Sequence, residues 1–129
     1  MNYIDLIHDQ ESKNVCIDFD GVIHNYIEYG DGTITGDVID GARDALKHLS
    51  KNYNIIVFTA KAKPDRPLVN QKTGTELVWE WLAKEKLDKY VSEVTAEKPR
   101  ALVYIDDKAI RFTNWEQTLI NFKNIVTNK

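Results

Sequence analysis

Two aspartates two positions apart, Asp18 and Asp20, follow the apolar run Val15, Cys16 and Ile17 and are followed at once by Gly21. Successive residues of an extended chain point to opposite faces, so Asp18 and Asp20 can project together while Phe19 packs the other way. Carboxylates held side by side repel one another, a cost tolerated where they share a cation or a proton. The spacing therefore asks for a metal ion. Other polar residues close other apolar runs: Thr59 follows Ile55, Ile56, Val57 and Phe58, and Asp106 and Asp107 follow Val103, Tyr104 and Ile105. Lys98 lies in the polar stretch before that last run. A calcium-binding EF-hand loop is excluded, because Val22 and Ile23 stand where an acidic ligand and a glycine are required.

These residues can act together only if the chain gathers the ends of its apolar runs. Residues 15–19 read as a short buried strand. Residues 21–36 are rich in Gly, Asp, Tyr and Thr, and Gly30-Asp31-Gly32-Thr33 predicts a small hairpin with an Asp-Gly turn, a flap beside Asp20. Ala42, Ala45, Leu46 and Leu49 recur at helical spacing across 40–52, with Asp40 placed to cap the first turn. Residues 53–58 form a second buried strand, and 60–74 a polar loop with Pro64 and Pro67. Leu77, Val78, Trp81, Leu82 and Leu87 predict a helix over 75–87, with one of Trp79 and Trp81 in the core and the other half exposed. Further strands are expected at 90–95 and 101–105, a short edge strand at 109–112, and a closing helix at 115–122 capped by Thr113 or Asn114. Residues 1–13 are expected to be an N-terminal extension.

Short apolar strands alternating with amphipathic helices predict an α/β fold. The expected form is three-layered and Rossmann-like, with a central, mainly parallel sheet, right-handed crossovers and helices on both faces. Sites in such sheets lie beyond the carboxyl ends of the strands. Asp18, Asp20, Thr59, Lys98, Asp106 and Asp107 would all meet there.

A chain of 129 residues suits one domain spanning 1–129. Its formal charge of −3 gives no general attraction to nucleic acid. A lone cysteine, Cys16, permits no disulfide within the chain, and its apolar surroundings mark it as a buried structural thiol. With neither a long apolar run nor a basic leader, the expectation is a cytoplasmic protein without membrane attachment.

From residue 15 to about residue 112 the order of these features resembles the haloacid-dehalogenase-like superfamily. Asp18-Phe19-Asp20-Gly21 matches its first motif, Ile55-Ile56-Val57-Phe58-Thr59 its second, Lys98 its third-motif lysine, and Val103-Tyr104-Ile105-Asp106-Asp107 its fourth. The resemblance implies a magnesium-dependent phosphatase. Asp18 would be the nucleophile that forms an aspartyl-phosphate, and Asp20 the acid-base that protonates the leaving alkoxide and then activates water. Thr59 and Lys98 would hold phosphoryl oxygens. The metal would take the Asp18 carboxylate, the Asp20 backbone carbonyl, and Asp106 or Asp107. Gly21, His24, Ala60 and Lys61, adjacent to these residues in sequence, are candidate substrate contacts.

Both intervals that hold a cap domain in many members are short here, so the resemblance implies a cap-free enzyme with an open site. That favours a bulky phosphorylated substrate or a neighbouring subunit as lid. Lys61, Lys63, Arg66 and Lys72 form a basic loop after Thr59 that could guide an anion, and Gly74-Thr75 at a helix start is a second candidate anion site. Ile105-Asp106-Asp107-Lys108 is similar to the acidic pair in the phosphatase half of polynucleotide kinase-phosphatases. This adds a nucleic-acid 3'-phosphate to nucleotides and sugar phosphates as substrate classes, against the acidic balance of the chain. A receiver domain is the nearest non-hydrolytic rival, and a phosphate-binding scaffold another. A receiver would place its acidic pair after the first strand and its lysine after the fifth, whereas here Asp106-Asp107 follow Lys98.

Overall fold

The computed structural model describes residues 13–128. The elements are β1 (Asn14–Asp18), α1 (Ala42–Leu49), β2 (Asn54–Phe58), α2 (Gly74–Lys84), β3 (Glu93–Thr95), β4 (Val103–Ile105) and α3 (Trp115–Thr127). Single 3-10 turns at Ala60–Ala62 and Asp88–Tyr90 follow β2 and precede β3. Val15, Cys16 and Ile17 are buried on both faces of β1, which explains why that strand is continuously apolar rather than alternating.

All four strands are parallel, in the order β3-β2-β1-β4. The chain first builds outward from β1 through β2 to β3, then returns to lay β4 on the other side of β1. Strand direction of travel therefore reverses between β1 and β4, and a crevice opens at their carboxyl ends. The register pairs Asp18 with Phe58 and Ile17 with Ile105, so Asp18, Thr59 and Asp106 leave the sheet at nearly the same level.

Two successive right-handed crossovers in the same direction put their helices on the same face of a sheet. Accordingly Leu46 of α1 and Val78, Trp81 and Leu82 of α2 join Val15, Ile17, Ile55, Val57 and Val94 in one core. Helix α2 begins with a capping box: the Thr73 hydroxyl accepts the Glu76 N–H, and the Glu76 carboxylate accepts the Thr73 N–H at 3.0 Å. Trp81 is core and Trp79 half-buried, as the spacing predicts. Helix α3 is capped by Asn114, whose Oδ1 accepts from the Gln117 N–H at 2.8 Å, and it runs on to Thr127 without burying a side chain.

Several expectations are corrected. Residues 21–36 form no hairpin ladder. Their flanks meet only at the base, where Asn25 N–H donates to Asp37 O and Ile39 N–H to Ile23 O, while a turn at Tyr29–Gly32 is tied by Asp31 to Thr33. The side chains of Tyr26, Ile27 and Tyr29 are exposed while Ile34 packs on the core, and a ribbon covered on only one arm does not hold its ladder. Asp40 does not cap α1: the N-cap is Gly41, at φ 86° with no side-chain bond. The third strand is only Glu93–Thr95, because residues 88–90 coil into a 3-10 turn, and residues 109–112 form no strand. The expected extension falls outside the described residues except for Lys13, whose carbonyl accepts from the Asn54 N–H at 2.7 Å. Among the described residues no helix is long and apolar enough to cross a membrane.

Candidate active site

Asp18, Asp106 and Asp107 each bring one carboxylate oxygen within 4.8 Å of the others, across the crevice between β1 and β4. Burial raises the Asp18 carboxyl to about pKa 6, and the neighbouring charges of Asp106, Asp107 and Asp20 push the same way against a backbone hydrogen bond at Phe19. The donor set is all carboxylate oxygen, as a hard divalent cation requires. Oxygens bound at roughly 2.1 Å around an octahedral Mg2+ stand about 3.0 Å apart when adjacent and about 4.2 Å when opposite, so the carboxylates would draw together by up to about 1–2 Å to close on the ion. The three residues fit a magnesium ion.

Gly21 makes this clustering possible. Its φ of +86° suits glycine, and a Cβ there would overlap Oδ2 of Asp107 and stand 2.9 Å from its carboxyl carbon. Asp107 thus reaches the cluster over a backbone stripped of its side chain. Asp106 turns the loop beyond β4, its Oδ1 accepting the Lys108 N–H at 2.8 Å.

Asp20 lies outside the three-carboxylate set because both its oxygens are engaged elsewhere. Oδ1 meets Nδ1 of His24 at 2.8 Å, and Oδ2 accepts from the Lys61 ammonium at 2.6 Å. Burial favours the protonated acid, but the His24 and Lys61 hydrogen bonds and the Lys61 charge outweigh it and leave Asp20 below its ordinary pKa. Asp18 and Asp20, two residues apart, are thus driven in opposite directions. Environments that separate two carboxyls in this way assign them different work.

His24 was expected as a substrate contact, but it is only 3% exposed and its ring is spent inside the protein. Nε2 accepts the Gly36 N–H at 3.0 Å, so the ring proton sits on Nδ1 and is donated to Asp20. The ring stacks on Phe19 at 5.1 Å and meets the edge of Trp81, whose Nε1 donates to Gly36 O at 2.9 Å. Gly36 is required here, since a Cβ would overlap Asn25 O and His24 Nε2. His24 therefore fixes the Asp20 carboxylate rather than reaching out of the site.

Lys61 is the contact the sequence understates. Thr59, 3% exposed, ends β2 and caps the Ala60–Ala62 turn, its Oγ1 accepting the Lys61 N–H at 3.2 Å. The first residue of α2, Gly74, packs directly on the Lys61 carbonyl, where a side chain would not fit. This turn aims the Lys61 side chain at Asp20 and past the Tyr26 ring, 4.9 Å from its centroid. Ala60 lies exposed between Thr59 and Lys61. Lys98 is exposed, with its ammonium 4.4 Å above the Tyr104 ring. Of the two lysines it is Lys61, not Lys98, that contacts Asp20.

Two other cations of the basic loop are engaged within the protein. Lys72 is paired with Glu80 at 2.6 Å, and the Arg66 guanidinium lies over Tyr29. The close contact of Gly74 with Lys61 also occupies the start of α2, leaving it a packing role. The cleft beside Lys61, lined by Tyr29, Ile34, Arg66 and Leu77, encloses about 20 Å3, roughly the room that one water needs. The carboxylate cluster itself opens to solvent, with Asp106 and Asp107 both exposed. Cys16 is a buried thiol raised to about pKa 11, chiefly by burial.

No family model, curated protein or solved structure matches this chain.

Proposed function

We propose that the protein is a magnesium-dependent phosphatase that hydrolyses a phosphate monoester through a phosphoryl group carried on Asp18. The observation that carries this reading is the Asp18, Asp106 and Asp107 cluster at the switch point of a parallel sheet, beside a second aspartate with separate partners. The strand order supports it over a receiver domain, whose doubly wound order places the first strand between the second and third. The proposed architecture is a three-layer, cap-free core of the haloacid-dehalogenase-like type.

A bound Mg2+ would supply the positive charge that lets a carboxylate approach a phosphate dianion. Asp18, Asp106 and Asp107 would hold it. The Asp18 carboxylate attacks phosphorus and the bond to the ester oxygen breaks. In the resting site Asp20 is a carboxylate held by His24 and Lys61. A phosphoryl oxygen that draws the Lys61 ammonium away frees Oδ2 and lets Asp20 take up the proton it gives to the leaving alkoxide. Asp20, again a carboxylate, then accepts a proton from the water that hydrolyses the Asp18 acyl phosphate. Thr59 and, after swinging from Tyr104, Lys98 are the further phosphoryl donors.

The exposure of Asp106 and Asp107 suits a phosphate displayed on a larger carrier rather than an enclosed metabolite. A panel of phosphoesters, including p-nitrophenyl phosphate, nucleotides, sugar phosphates and a 3'-phosphorylated oligonucleotide, assayed in Mg2+ and in EDTA, tests the proposal. Hydrolysis is expected in Mg2+ alone and is lost in Asp18→Asn. Activity that survives in Asp18→Asn overturns the assignment.

A further inference from the structure

Helix α3 carries an exposed apolar seam that the described residues leave uncovered. Trp115, Leu119, Phe122 and Val126 are 69, 62, 55 and 50% exposed and follow one another at intervals of four, three and four residues. That spacing is the seam of a helix built to lie along another helix. Phe112, just before the helix, packs edge-to-face on Trp115 at 5.4 Å and extends the apolar stripe by one more step. Monomeric proteins rarely leave such a stripe in water.

We propose that this seam pairs with the same seam of a second copy of the chain, the two α3 helices running antiparallel about a two-fold axis. The pattern is self-complementary in that arrangement. Reversal about the seam's midpoint sets Trp115 of one copy against Val126 of the other, and Leu119 against Phe122, so each large ring meets a smaller side chain. The charges obey the same symmetry. Glu116 and Lys123 are the only charged residues of the helix, seven apart on one flank of the seam. In an antiparallel pair equivalent flanks face each other, which brings Glu116 of each copy beside Lys123 of its mate. A parallel pair would instead set that flank against the opposite one, at Thr118 and Ile125, and leave both charges unpaired. β4 is an edge strand of the described sheet, and its Val103 and Ile105 are exposed as well.

Sedimentation equilibrium of the full chain over a wide concentration range tests this, with Glu116→Lys, Lys123→Glu and the double variant that carries both. Each single reversal replaces two attractive contacts per dimer with two repulsive ones, and is expected to weaken self-association by about tenfold or more at low salt. The double variant restores the pairing with its signs exchanged and is expected to return to within about threefold of the unaltered chain. A chain monomeric at every concentration overturns the proposal. A dimer indifferent to the single reversals, or not rescued by the double, overturns it as well. None of these outcomes depends on phosphatase activity.

Discussion

Asp18→Asn should stabilise the protein in the absence of divalent metal while destroying its activity, because the cluster that would bind the ion is itself a strained arrangement of charge. The magnitude follows from the Asp18 carboxyl, raised from 3.8 to about 6 by burial and by Asp106, Asp107 and Asp20. Two pKa units correspond to about 3 kcal/mol, and partial exposure of the carboxyl reduces the expected effect to about 1–2 kcal/mol. The sign is set by linkage: the folded state binds the Asp18 proton more tightly than the unfolded chain does. This contribution is therefore full below pH 3.8, and it is lost as the pH rises through about 6. Urea unfolding in EDTA, followed by tryptophan fluorescence between pH 4 and 7.5, measures it. Asp18→Asn should exceed the unaltered chain by that amount at pH 7 and match it near pH 4. Saturating Mg2+ should reverse the order at pH 7 by stabilising only the chain that keeps Asp18. A variant less stable than the unaltered protein in EDTA at pH 7 would falsify the account of the cluster.

Gly21→Ala puts a Cβ into the Asp107 carboxylate at a left-handed backbone position, so Mg2+ affinity should fall at least tenfold by calorimetric titration, with a loss of about 1 kcal/mol in stability. His24→Phe keeps the stack on Phe19 but strips partners from the Gly36 N–H and Asp20 Oδ1, and should cost about 2–4 kcal/mol in urea unfolding. Lys61→Met should lower kcat for p-nitrophenyl phosphate by ten- to a hundredfold, and its acidic limb should move upward because Asp20 loses a charge that depresses its pKa; an unchanged pH profile contradicts the Lys61 role. Cys16, raised to about pKa 11 and buried, should resist iodoacetamide at pH 8 in the folded protein and react promptly in urea.

The parts of this structure that were legible in sequence are those fixed by local pattern. β1 and β2 are continuous apolar runs because both their faces are covered, and their ends mark where Asp18 and Thr59 emerge. Parallel alternation with helices then implies that those ends lie on one side of the sheet. The cap of α1 was not legible, because Asp40 has the right chemistry but Gly41 takes the left-handed turn into the helix. The flap was misread because an Asp-Gly turn specifies a bend, whereas a ladder also needs a covered face. Lys61 was understated because its contact with Asp20 joins residues 41 apart in the chain. It depends on how closely Gly74 lets α2 approach the Ala60–Ala62 turn. His24 was likewise assigned by sequence distance to Asp20, while its role is set by Gly36 and Trp81, which come later in the chain.

The central claim is that phosphate passes through the Asp18 carboxylate. Borohydride quenching of the protein during turnover of p-nitrophenyl phosphate with Mg2+, followed by peptide mass spectrometry, tests it most directly, since the hydride reduces an acyl phosphate to the alcohol and leaves free carboxylates alone. The account predicts homoserine at position 18, absent in EDTA and without substrate. Turnover that proceeds with Asp18 unmodified, or with the reduced residue elsewhere, contradicts it.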